Sequence, residues 1–204
     1  MATLLGLTPV TREAVLREAT ARLLAGGVVV IPTDTVYGLA AHPACAASVA
    51  RLATIKGRPT GKPIALLAAD AQAVRRSGAV FPPAAHRLAE RFWPGALTLV
   101  LDCGGASEGF RVPDHPFCRN LLEACGGLLR VTSANLSGAQ PAISAAQALA
   151  DIGLEADLVI DDGPSPGGVA STVVRVTADA VTLLREGAIA ADRVNTVCYQ
   201  GKRI

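Results

Sequence analysis

Hydrophobic and polar positions alternate between two periods along this chain of 204 residues. Val15, Leu16, Ala19 and Leu23 recur at helical spacing, with Thr11 placed as the N-cap and Gly26-Gly27 as the stop. The spacing predicts a helix from residue 11 to about residue 25. A continuous β-branched run, Val28–Ile31, then reads as a strand buried on both faces. Helical patterns return over 44–55, 70–77, 83–92, 116–125 and 144–152. Apolar runs at 64–68, 97–101, 128–131 and 157–160 read as further strands. Thr172–Val176 and Val181–Arg185 are two strands joined by a short turn, which predicts an antiparallel pair. Strands alternating with helices imply a layered α/β protein, and the final hairpin makes its sheet mixed. No internal repeat or low-complexity linker interrupts the pattern.

Composition narrows the picture. Half of the residues are hydrophobic and aromatics make up only 3%, so the core is built mostly from Ala, Val and Leu. The length favours one domain. The formal net charge of +2 is too small to mark a general nucleic-acid binder, so any anion site has to be local. No apolar run reaches the ~18–20 residues of a membrane span. The first ten residues lack a basic start followed by a long apolar stretch, so no signal peptide is expected and the cytoplasm is the expected location. Cys45, Cys103, Cys118, Cys125 and Cys198 form no C-x-x-C pair and read as small buried hydrophobes of a reducing compartment. His42, His86 and His115 show no metal spacing.

The basic residues are unevenly chosen. Of nineteen cations only three are lysines, and two of these, Lys56 and Lys62, share the loop Lys56-Gly57-Arg58-Pro59-Thr60-Gly61-Lys62-Pro63. Lys is a compact ammonium on a flexible stem, able to follow a moving phosphate oxygen, whereas Arg is a rigid fork. Three other segments combine glycine, proline and hydrogen-bonding residues beside strands: 32–39, 132–138 and 163–171. Loops outside strand ends are where open α/β sheets bind ligands. The basic loop is not a Walker A motif: Gly57 and Gly61 are one residue too close, Pro63 stands where Ser or Thr would hold magnesium, and a helix precedes the loop. No G-x-G-x-x-G follows a strand.

Seven ordered motifs together resemble the YrdC family, the L-threonylcarbamoyladenylate synthases. They are Pro32-Thr33-Asp34-Thr35-Val36-Tyr37-Gly38-Leu39, Lys56-x-Arg58-Pro59-x-x-Lys62-Pro63, Trp93-Pro94-Gly95-Ala96-Leu97-Thr98, Arg111-Val112-Pro113-Asp114-His115-Pro116, Ser133-Ala134-Asn135-Leu136-Ser137-Gly138, Ser171-Thr172-Val173-Val174 and Leu184-Arg185-Glu186-Gly187-Ala188-Ile189. The resemblance runs from about residue 8 to 194, a single YrdC-like domain with 195–204 as a short tail. It implies a twisted mixed sheet flanked by helices around a concave basic cavity. It also implies a nucleotidyltransferase that condenses L-threonine, bicarbonate or CO2, and ATP into threonylcarbamoyl-AMP and pyrophosphate. Magnesium would be carried on the triphosphate. Other proteins would move the threonylcarbamoyl group to tRNA, and tRNA itself is a possible contact.

The resemblance carries roles onto particular residues. Lys56, Arg58 and Lys62 would line the triphosphate, with Lys56 and Arg58 the catalytic pair, and Arg185 would join them. Ser133 and Asn135 would bond nucleotide or phosphate. Ser107 and Pro141 fall where ATP contacts lie. Thr35, Arg111, Ser171 and the backbone at Val131 would hold threonine, with Arg111 on its carboxylate. Two departures stand out. Leu67 occupies a position where some relatives carry a threonine-contacting His, and Pro141 replaces a Ser, so it can act only through its backbone. Trp93 and Tyr37 read as packing residues and His115 as a cap. Two other functions fit the same residues: an RNA-binding module without chemistry, and a carbamoyl-transfer unit such as larger hydrogenase-maturation proteins contain.

Overall fold

The structure, a computed structural model, describes residues 2–57, 63–152 and 155–199. Seventeen elements follow one another among these residues. They are β1 (Thr3–Gly6), α1 (Arg12–Leu24), β2 (Val28–Ile31), β3 (Gly38–Ala41), α2 (Ala46–Ile55), β4 (Leu66–Ala68), α3 (Ala71–Arg76), α4 (Pro83–Phe92), β5 (Leu97–Cys103) and β6 (Ala106–Arg111). Then come α5 (Pro116–Ala124), β7 (Leu128–Ser133), α6 (Ala145–Asp151), β8 (Leu158–Asp161), β9 (Thr172–Val176), β10 (Val181–Arg185) and α7 (Ala191–Tyr199). The strands form one mixed sheet in the order β1-β8-β2-β3-β7-β4-β6-β5-β9-β10.

Most elements form where their patterns predict. Gly26, at φ +85, ends α1, and the amides of Gly26 and Gly27 turn back to the carbonyls of Leu23 and Arg22. Asp70 caps α3 and Ser144 caps α6 through their side chains. Thr11 occupies the N-cap position of α1 but does not cap it. Its hydroxyl donates to the Gly6 carbonyl at 2.8 Å instead, tying the helix start back to β1. β9 and β10 pair antiparallel, with a register shift between Leu183 and Arg185.

Four elements lie outside the predicted set: β1, β3, β6 and α7. β1 adds to the sheet beside β8, before residue 8, and α7 runs past residue 194, so the packed unit is wider than the span 8–194. β3 begins inside the segment 32–39, expected to be a polar loop, and pairs with both β2 and β7.

The two halves of the sheet are covered differently. Over β8, β2 and β3 both faces are packed. One face carries Val29, Ile31, Ala40, Leu158 and Ile160 against α1 and α5, in a cluster that continues through Leu67 and Leu129. The opposite face carries Val28, Val30, Leu39, Ala41 and Val159 against α2 and α6. Over β6, β5 and β9 only one face is packed: Leu97, Leu99, Leu101, Phe110, Val174 and Val176 lie under α4 and α7. Strand alternation puts Ser107, Gly109, Arg111, Thr98, Val100, Val173, Arg175 and Arg185 on the other face. That face belongs to the site.

Candidate active site

Arg111, at the end of β6, is only 6% exposed. Its Nε donates to the Gly95 carbonyl at 3.0 Å, its Nη1 to Thr35 Oγ1 at 2.7 Å, and its Nη2 to Asp34 Oδ1. Four strand spacings of about 4.8 Å separate β2 from β6. The contact exists because the loop after β2 folds back across this face of the twisted sheet. Thr33 shapes that loop. Its hydroxyl receives the amides of Thr35 and Val36 and donates to the Val36 carbonyl. The turn after α4 supplies the Gly95 carbonyl, and the Gly95 amide is itself held by the Val112 carbonyl.

Ser171 and Arg185 complete this cluster. The segment 162–171 crosses from the end of β8 to the start of β9 and lies on the Thr33–Val36 loop, where the Gly167 amide donates to the Asp34 carbonyl at 3.0 Å. A Cβ on Gly167 would stand 2.5 Å from that oxygen, so the two chains meet this closely only because residue 167 has no side chain. Ser171 Oγ is 2.8 Å from Thr98 Oγ1, both buried. Arg185 Nη2 donates to the Ser171 carbonyl at 2.6 Å. Partial burial lowers the pKa of Arg185, and the charge of nearby Arg111 lowers it further. Two guanidiniums share this space with one carboxylate, Asp34, an arrangement that favours an incoming anion.

A second cluster lies at the end of β7. Lys56 caps the C-terminus of α2 and is 4% exposed. Its Nζ donates to the carbonyls of Ser133 and Asn135, each at 2.5 Å, with Ser133 Oγ at 3.4 Å and Asn135 Oδ1 at 3.3 Å. The Lys56 carbonyl accepts the Ser137 amide at 2.9 Å. The ammonium expected to be a mobile follower of phosphate is therefore an anchored one, clasped by the Ser-x-Asn turn. Asn135 shapes that turn, donating through Nδ2 to the carbonyls of Leu136 and Ala139, both at 2.8 Å.

Tyr37 joins the two clusters. Ser133 pairs with Gly38 across β3 and β7, and the Ala134 amide donates to the Tyr37 carbonyl. The Tyr37 amide donates to the Ala142 carbonyl, its hydroxyl donates to the Gly163 carbonyl at 2.6 Å, and that hydroxyl accepts the Asp162 amide. Burial pushes its pKa up to about 12, so the phenol stays protonated and acts structurally. His115 caps α5 through Nδ1 and sets Nε2 3.2 Å from Asp162. Burial lowers its pKa, although Asp162 and Asp34 oppose the shift. Cys118, beneath the Arg111–Asp34 pair, is fully buried and pushed up to about 12, an inert thiol.

The other expected positions are spread more widely. Val131 flanks Gly38, where a Cβ would come within 2.6 Å of its Cγ1, and its amide is committed to the Ala65 carbonyl. Any ligand contact from its backbone therefore comes from the carbonyl. Pro141 precedes Ala142, the residue that holds the Tyr37 amide. Ser107 sits four residues before Arg111, about 13 Å along β6. It shares a cleft of about 200 Å3 with Asp102 and Arg175. Leu67 is opposite Arg111 in the register and packs into the α1–α5 core. Arg58 and Lys62 lie outside the described residues. Asp34, Thr33 and Thr98 were missed as site residues. All three stand in motifs that carry the family resemblance, Thr33 and Asp34 in the first and Thr98 in the third, which is the signal that could have found them.

A family model described as Telomere recombination, covering Sua5, YciO and YrdC proteins, matches residues 21–187. The chain belongs to the Sua5/YciO/YrdC family. It is 34% identical over 198 residues to the threonylcarbamoyl-AMP synthase of Bacillus subtilis, covering 92% of this chain and 57% of that protein. It is 36% identical over 162 residues to the threonylcarbamoyl-AMP synthase of Halorhodospira halophila, covering 74% of this chain and 85% of that one. The crystal structure of P. abyssi Sua5 complexed with L-threonine superposes with a TM-score of 0.88 at 31% identity, covering 97% of this chain and 60% of that chain. This Sua5/YciO/YrdC chain thus spans little more than half the length of the Bacillus and Pyrococcus proteins it matches. The mixed sheet and its helices agree with the fold of those structures. No described helix is long and apolar enough to cross a membrane.

Proposed function

We propose that this chain condenses L-threonine, bicarbonate or CO2, and ATP into threonylcarbamoyl-AMP and pyrophosphate. The observation that carries the reading is the junction of two clusters. Arg111, Thr35, Ser171 and Arg185 form a compact, partly neutralised anion site, and it adjoins the Lys56–Ser133–Asn135 clasp through Tyr37 and Gly38. An amino-acid pocket set beside a phosphate-binding wall is what an acyl-adenylate synthase needs. Threonine's amine and CO2 give a carbamate, with loss of a proton. A carbamate oxygen then attacks the α-phosphorus and pyrophosphate leaves. Both partners are anions, so preorganised positive charge and alignment carry most of the catalysis.

In this reading Arg111 takes the threonine carboxylate, Thr35 and Ser171 contact the rest of the amino acid, and the Val131 carbonyl closes the pocket. Lys56, Arg58, Lys62 and Arg185 face the triphosphate, while Ser133 and Asn135 hold the turn that carries it. Ser107 and the Pro141 backbone reach the nucleoside end. Among the described residues no group of three or more His, Cys, Asp or Glu is placed to hold a metal, and magnesium enters on ATP. The product passes to tRNA-modifying proteins in the cytoplasm.

The test mixes protein, ATP, magnesium and bicarbonate and measures pyrophosphate with and without threonine. Threonine-dependent release is expected. Release independent of threonine would overturn the reading, and threonine-independent turnover of carbamoyl phosphate would replace it with carbamoyl transfer.

A further inference from the structure

Asp34 is fixed from two sides. Its carboxylate receives Arg111 Nη2, in a pair whose side chains are only 7% and 12% exposed. Its carbonyl receives the Gly167 amide from the crossing segment. With Nε on Gly95 and Nη1 on Thr35, Asp34 supplies the third fixed point of the Arg111 fork. Three points define a plane. A guanidinium carries five N–H donors, so two remain to meet an anion in that plane. A loose Arg side chain would lose rotamer entropy on binding substrate. Here that ordering is done in advance. The carboxylate also compensates a buried cation that would otherwise be costly to keep in this site.

We propose that Asp34 is a positioning residue for substrate recognition. Its carboxylate oxygen sets the plane of the Arg111 guanidinium, so that the remaining N–H groups receive the carboxylate of an α-amino acid. This rests on the threonine-dependent reading above. Asp34 transfers no proton and touches no reacting atom.

The experiment measures threonine-dependent pyrophosphate release by the full chain, with KM for threonine and ATP determined separately. Asp34→Ala removes the acceptor and is expected to raise the threonine KM at least tenfold, with kcat and the ATP KM within twofold. Asp34→Asn keeps an acceptor oxygen at the same reach and is expected to stay within threefold of the natural protein. Should the alanine variant fail to fold by its thermal transition, Asp34→Ser, which is too short to reach Arg111, carries the same expectation. An unchanged threonine KM in the Ala or Ser variant, an equal rise in both KM values, a fall in kcat alone, or an Asn variant as impaired as Ala would each overturn the role. If the natural protein itself shows no threonine dependence, the functional reading fails. If it does and Asp34 fails these criteria, only this inference falls.

Discussion

The strands β8-β2-β3 and β6-β5-β9 belong to one sheet but are used in opposite ways. The first set is packed on both faces and its exposed surface is slight: Val28–Ile31 and Gly38–Ala41 are fully buried. The second set is packed on one face only. On the other, buried polar residues such as Thr98, Ser171 and Arg111 take the place that apolar residues hold in the first. The difference teaches where each kind of selection acts. A strand that buries both faces is specified by volume, whereas a strand with one open face spends that face on ligand chemistry.

Perturbing each half should separate stability from activity. The largest effect is expected from Leu158→Ala, on β8 in the doubly covered half. A fully buried leucine there lies among α1 and α5 residues, and its truncation should cost about 2–5 kcal/mol in urea unfolding. By contrast Arg175→Ser, on the open face, should move stability by no more than about 0.5 kcal/mol. Equal losses at both sites would erase the contrast.

Next in size is Arg111→Ala. It should raise the threonine requirement roughly a hundredfold, about 2.7 kcal/mol, and the ATP requirement far less. Equal effects on both substrates would remove Arg111 from the amino-acid side of the site. Lys56→Arg comes third. The Ser133–Asn135 clasp fits an ammonium, and a planar guanidinium cannot meet four oxygens gathered around one nitrogen. Turnover should fall roughly 10- to 30-fold with ATP affinity little changed, as isothermal titration would show.

The smallest effect concerns pH. Burial holds the His115 pKa below its ordinary value, so on acidification the unfolded chain takes up this proton before the folded one does. Folded stability contributed by the neutral imidazole is therefore present above about pH 6.5 and is lost as pH falls below it. His115→Asn keeps a capping side chain and removes the titration. Its stability difference between pH 7 and pH 5.5 should be smaller than that of the natural protein by less than about 1 kcal/mol.

The same contrast explains what could be read from the amino-acid sequence. β2, β5 and β7 were legible because an apolar run signals burial directly. β6 was not: Ala106–Arg111 reads Ala-Ser-Glu-Gly-Phe-Arg, and its outward positions Ser107, Gly109 and Arg111 belong to the open face, so no hydrophobic alternation survives. β3 was hidden because Gly38, Ala40 and Ala41 are small and not β-branched, and Gly38 is required by the close approach of Val131. β1 lies at the sheet edge, with little apolar burial to announce it. The nearness of Lys56 to Ser133 and Asn135 was anticipated only through family resemblance. The Asp34–Arg111 pair joins residues 77 positions apart, across a fold-back that no local pattern encodes.

Tyr37 has a consequence of its own. Its amide, carbonyl and hydroxyl link it to three separate stretches of chain, at Ala142, at Ala134 and at 162–163. A buried phenol bound on all sides works like a keystone. The walls it connects cannot loosen one at a time, so substrate entry has to proceed without breaking them. The amides of Tyr37, Ala134 and Asp162 should then exchange with deuterium at one common, slow rate, set by opening of the whole domain.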